Sequence, residues 1–128
     1  MSTHYELGKT GEDQALENYL ERGYNLVIKN FQYYRDGRAG RLGEIDLILE
    51  KNNKLYLVEV KTRSDNSFGS PQEQVTKSKL MYLYKTWQYF ILKNPKYKSY
   101  FCQFDLVSIT GKKLEIIQNA YNFDSLSS

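Results

Sequence analysis

Between Gly43 and Arg63 the chain reads GEIDLILEKNNKLYLVEVKTR, and few arrangements accommodate that stretch. Two β-rich runs flank Asn52-Asn53, a pair suited to the centre of a two-residue hairpin turn, where positive φ is required. With that pair at the turn, Ile48 faces Leu57, Asp46 faces Glu59 and Glu44 faces Lys61. Side chains alternate along a strand, so Glu44, Asp46, Glu59 and Lys61 share one face, which Ile48 and Leu57 continue toward the turn. Ile45, Leu47, Leu49, Tyr56, Val58 and Val60 form the opposite face, apolar throughout and in need of cover. Two carboxylates opposed across an antiparallel pair repel each other, and partial desolvation strengthens the repulsion. Folding alone gives no reason for the arrangement. A divalent cation between Asp46 and Glu59 does, because coordination replaces repulsion. The plainer alternative is a solvated sheet end with Lys61 as a neutralising neighbour. The register holds for a two- or four-residue loop; a three-residue loop would send Asp46 and Glu59 to opposite faces.

The flanking segments supply the cover. Thr10 to Arg22 has Ala15, Leu16, Tyr19 and Leu20 at helical spacing, and Gly23 stops it. Glu12 falls near the middle of that apolar stripe, which makes it a candidate third carboxylate or a rim acid. Tyr24 to Tyr33 reads as a strand. The YRDGRAGRLG segment is a basic, glycine-rich loop. Ser64 to Ser70 reads as a polar loop, and a helix follows over Gln72 to Leu92, with Thr76, Leu80, Leu83, Trp87 and Phe90 as its stripe. Tyr100 to Ile109 and Lys113 to Gln118 form a second hairpin. The order αβββαββ predicts a single α/β domain, a mixed central sheet flanked by helices, with residues 119–128 as a partly frayed tail.

Composition narrows the chemistry. One His and one Cys among 128 residues exclude an intramolecular disulfide and a zinc site built on those ligands. A metal here would be a hard cation held by carboxylates. The net charge of +3 permits a nucleic-acid partner without requiring one. No apolar run is long enough for a membrane span, and the first residues lack a signal-peptide core. The expected location is the cytoplasm, with no membrane partner. Twelve tyrosines suit a core, a homodimer interface or base stacking. Tyr33 and Tyr34, beside the basic loop, could stack on unpaired bases or pack at the sheet edge.

Several blocks run in order along nearly the whole chain: Gly8 to Tyr24 with Glu12, Ala15, Tyr19 and Leu20, then Lys29-Asn30-Phe31, GEIDLI, VEVKTR, FGSP, VTKSK and FDLV. This pattern resembles the UPF0102 family of bacterial proteins, also called YraN-like. The family is similar to the PD-(D/E)XK, restriction-endonuclease-like superfamily, near Holliday junction resolvases. The resemblance implies a restriction-endonuclease-like fold and an active site at Asp46, Glu59 and Lys61, with Glu12 from the first helix and Lys79 as the polar position of the second. It implies Mg²⁺ or Mn²⁺ held by Asp46, Glu59, the Val60 carbonyl and Glu12. The implied activity is structure-selective cleavage of branched or single-stranded DNA, with RNA as a further candidate. Arg35, Arg38, Arg41, Arg63, Lys77 and Lys79 are the candidate phosphate contacts. The position before Phe104 is often Arg in the family and is Gln103 here, which weakens one such contact. The alternative is a vestigial nucleic-acid-binding or protein-interaction scaffold on the same fold.

Overall fold

A computed structural model describes residues 10–34, 41–63 and 76–120, without the side chains of residues 41 and 42. The elements are α1 (Gly11–Glu21), β1 (Asn25–Tyr34), β2 (Arg41–Lys51), β3 (Lys54–Arg63), α2 (Lys77–Lys93), a short 3₁₀ turn (Pro95–Tyr97), β4 (Phe101–Thr110) and β5 (Lys113–Ile117). The predicted order αβββαββ is therefore the observed one. Both helices start where a threonine caps them: Thr10 Oγ1 accepts from Asp13 N at 3.1 Å, and Thr76 Oγ1 accepts from Lys79 N at 3.1 Å. Each bond satisfies one of the amides that a helix start leaves unpaired. The second helix was expected from Gln72; residues 72–75 lie outside the described residues.

The strands form one five-stranded sheet in chain order. β1–β2, β2–β3 and β4–β5 are antiparallel, whereas β3–β4 is parallel. A parallel neighbour needs a crossover, and the segment carrying α2 supplies it. The β2–β3 turn is the predicted one: Asn52 and Asn53 have φ of 52° and 61°, both in the left-handed region. It sets Ile48 opposite Leu57 and Leu47 opposite Val58.

Each face of the sheet has its own core. Ala15 and Tyr19 of α1 pack with Tyr24, Leu47, Leu49, Val58, Val107 and Ile109. On the other face, Leu80, Leu83 and Phe90 of α2 pack with Ile45, Ile48, Leu55, Leu57, Phe104 and Leu106. Ile45 departs from the expected pattern. It was placed beside Leu47 and Leu49, yet it joins the core under α2 with Ile48. Strict alternation therefore fails between Ile45 and Leu47. The neighbouring strand is irregular at the same level, because Asn30, between the pairs Lys29–Leu47 and Phe31–Ile45, has φ 53°. Simple two-residue periodicity cannot register such a break.

Two close approaches set the helices at the end of the sheet that carries the charges. A Cβ on Gly43 would lie 1.8 Å from Thr86 Oγ1, and a Cβ on Gly11 would lie 2.4 Å from Thr62 Oγ1. Only glycine lets α2 descend this far onto β2, and α1 onto β3. Under α1, buried Asp105 accepts from Tyr19 Oη at 2.8 Å, Gln103 Nε2 at 2.7 Å and Asn119 N at 3.0 Å. Burial and the Asp105 carboxylate push the Tyr19 hydroxyl well above the ordinary phenol range. Gln103, which stands where the family often has Arg, donates to this buried carboxylate.

Candidate active site

The site forms where β2 and β3 part. Their ladder pairs run from Lys51–Lys54 to Leu47–Val58. Beyond that point β2 continues to pair with β1 as far as Arg41, and β3 with β4 as far as Arg63. Asp46 and Glu59 stand at the fork, immediately past the last ladder pair. A side chain spans the gap: Asp46 Oδ2 accepts from Val60 N at 2.7 Å. Asp46 and Glu59 are thus adjacent across the fork and not a ladder pair, as the sequence register alone suggested.

The fork opens into a cavity of ≈ 580 Å³, lined on the sheet side by Glu44, Asp46, Glu59, Val60 and Lys61. Its other wall is the start of α2, with Thr76, Ser78, Lys79, Tyr82 and Leu83. Lys79 Nζ pairs with Glu59 Oε1, and Lys61 Nζ lies 3.6 Å from the same oxygen. Glu59 is thus held between two ammonium groups, one from its own strand and one from the facing helix.

Among the described residues, no ammonium or guanidinium group pairs with Asp46. Burial pushes its carboxyl up to about 6; the Val60 N–H bond opposes the rise, while Glu12, Glu59 and Glu44 add to it. Glu12 is raised as well, first by burial and then by Glu44. It reaches this field from the first turn of α1 and is not among the residues that line the cavity.

The sequence candidates fall into three groups. Asp46, Glu59, Lys61, Lys79 and Val60 line one cavity, with Glu12 in electrostatic range of Asp46. Arg63, at the end of β3, and Lys77, exposed at the start of α2, lie outside its lining. Arg35, Arg38 and the side chain of Arg41 fall outside the described residues. Tyr33 packs on Tyr89 with ring centroids 4.5 Å apart. Glu44, Thr76, Ser78 and Tyr82 were not singled out as site residues. The usable signal was helical spacing, since Thr76, Lys79 and Leu83 share a face, with Ser78 and Tyr82 beside them.

The donor set around Asp46 is one for a hard divalent cation, oxygen ligands from carboxylates and a backbone carbonyl. Among the described residues, no three His, Cys, Asp or Glu side chains gather closely enough to hold an ion by themselves. Magnesium does not need three: it keeps several waters and binds through one or two carboxylates plus substrate phosphate. Asp46, buried and raised further by three other carboxylates, is the ligand such an ion would relieve. The residues fit the ion on that chemistry, with Asp46 and Glu59 as holders and the Val60 carbonyl beside them.

Fold and site together define a mixed-sheet α/β protein with an acid–lysine cavity at a sheet fork. A family model described as "Uncharacterised protein family UPF0102" matches residues 11–109, and the chain belongs to that family. It is 34% identical to a UPF0102 protein of Persephonella marina over 91% of this chain and 94% of the relative. A UPF0102 protein of Thermodesulfovibrio yellowstonii is 37% identical over 91% and 96%. One from Acinetobacter baylyi is 39% identical over 80% and 69%.

Proposed function

We propose that this protein is a metal-dependent nuclease that hydrolyses phosphodiester bonds in branched or single-stranded DNA. One observation carries the reading: three carboxylates, Glu44, Asp46 and Glu59, and two ammonium groups, Lys61 and Lys79, from β2, β3 and α2, converge on a single cavity. The resemblance of the Asp46…Glu59-x-Lys61 spacing and of the αβββαββ order to the PD-(D/E)XK superfamily supports it.

The start of α2 supports it from another direction. A helix start is already electropositive, and stability alone favours acids there. The first turn of α2 has no acid and instead carries Lys77 and Lys79. That excess of positive charge suits a phosphate. A phosphodiester in the cavity would meet Lys79 and the Thr76 and Ser78 hydroxyls on one side and Lys61 on the other. Bound magnesium or manganese would supply Lewis acidity and a more acidic water. Lys61 would orient the attacking water or steady negative charge on the phosphate. The water oxygen replaces one P–O bond, and the products are a phosphate monoester and a free hydroxyl.

The test is cleavage of flapped, branched and single-stranded DNA with Mg²⁺ or Mn²⁺. Lys61→Ala and Glu59→Ala should each lower the rate by about a hundredfold or more. Variants that cleave as well as the wild type would assign the activity to a contaminant. The Lys79–Glu59 ion pair favours a second reading, a binding protein whose site is closed by its own lysine. Salt-sensitive DNA binding without any metal uptake in calorimetry would select that reading.

A further inference from the structure

Tyr82 differs from most of the described tyrosines. Tyr19, Tyr24 and Tyr56 interlock edge to face under α1. Tyr33, Tyr89, Tyr97 and Tyr100 engage other rings on the α2 side. Tyr82 is in none of these ring pairs, is 45% exposed and lines the cavity that holds Asp46, Glu59 and Lys61. Its position is set by a regular helix. Leu83, the next residue, is 2% exposed in the core, and Lys79 lies one turn earlier on the same side.

The cavity therefore presents two unlike surfaces close together. One is polar: the Lys61 and Lys79 ammonium groups beside Glu59 and the Thr76 and Ser78 hydroxyls, which could hold a phosphate together with a metal on the carboxylates. The other is the half-exposed aromatic side chain of Tyr82. A ligand that uses both has a phosphate joined, within a few bonds, to a flat unsaturated ring, and a nucleotide has that form. In a duplex, neighbouring base pairs cover each base face, so an unpaired base is the one free to stack on protein.

We propose that Tyr82 is the stacking platform for an unpaired base next to the phosphodiester bound at Lys61 and Lys79. The inference rests on the nuclease reading above and narrows it. Single-stranded DNA, or a single-stranded arm, is the substrate, and Tyr82 is the residue that selects it over duplex.

The probe is a short single-stranded oligodeoxynucleotide containing 2-aminopurine, compared with a blunt duplex of the same sequence, both titrated in Ca²⁺. Wild-type protein should bind the single strand and change the 2-aminopurine fluorescence. Tyr82→Phe, which keeps the ring face, should bind within about twofold of wild type. Tyr82→Ala should bind the single strand about tenfold more weakly, with the fluorescence change lost and duplex affinity unmoved. Alanine is the better helix former, so the variant keeps α2, which a thermal melt confirms. Equal losses on both DNA forms, no loss on either, or a wild type that binds no single strand would overturn the proposal. A parallel Mn²⁺ cleavage assay separates the two readings. Stacking without cleavage removes the nuclease reading alone; cleavage that ignores Tyr82→Ala removes the stacking role alone.

Discussion

Asp46 is held against its own preference for charge. Its carboxyl lies near 6 in the folded protein, against about 3.9 in an unfolded chain. An acid whose folded value is raised binds more protons folded than unfolded between those two values. The contribution of Asp46 to stability is therefore most favourable below about pH 4, falls as pH rises toward about 6, and is level above it. The loss amounts to roughly 2–3 kcal/mol at neutral pH. Asp46→Asn removes the charge and leaves an oxygen for the Val60 amide. Urea melts should show it more stable than wild type by about 1–2 kcal/mol at pH 8, with the difference vanishing near pH 4. Added Mn²⁺ should raise the melting temperature of wild type at pH 8 and leave Asp46→Asn unmoved, because only a folded state that binds the ion is stabilised by it. Equal stability of the two proteins at pH 8 would show that Asp46 is not strained. The sequence placed Asp46 and Glu59 side by side; it did not show that, among the described residues, Glu59 is paired with two lysines and Asp46 with none. That asymmetry depends on how α2 sits over the sheet, a tertiary fact that strand periodicity does not contain.

The contact between α2 and β2 decides whether the fork exists as a site. Gly43→Ala would put a methyl 1.8 Å from Thr86 Oγ1, and one element must move. Overpacking of this kind costs about 1–3 kcal/mol, and the displaced helix would carry Lys79 and Tyr82 away from Glu59. Thr86→Ala alone should be mild, since the hydroxyl bonds only to the Tyr82 carbonyl within the same helix. In the double variant the obstructing oxygen is gone, so stability measured by denaturant titration should recover in part. No recovery would mean that the glycine serves the strand itself and not the helix contact. The elements were legible because their signals are local: the Asn52-Asn53 turn fixed the register, and helical spacing marked Leu80, Leu83 and Phe90. Thr86 was missed because a polar residue on an apolar stripe looks like an interruption. Its burial follows from Gly43, a residue far away in sequence. The face of Ile45 was misread for a related reason, since the break in alternation lies at the level of Asn30 on a different strand.

For the whole molecule, sheet order and the two-sided core follow from the apolar faces of one hairpin, which had to be covered from both sides. Both helices enter the sheet at the same end by way of glycines, and that end is where the charges converge. Among the described residues, no helix is long and apolar enough to cross a membrane. Among the described residues the sheet is open, with β5 at one edge and β1 at the other. Leu26 and Ile28 on that edge are 38% and 37% exposed, which would invite a second chain to add a strand. The register shift between Leu26 and Ile28 and the left-handed Asn30 divide the edge into short lengths, and Lys29 adds a charge. The irregularity at Asn30 would thus also work against strand-to-strand self-association. Asn30→Val should favour a straight, continuous edge strand. Sedimentation at rising concentration should then show stronger reversible association than the parent chain shows. A backbone kink of one residue would in that way set how concentrated this protein can become before it begins to polymerise.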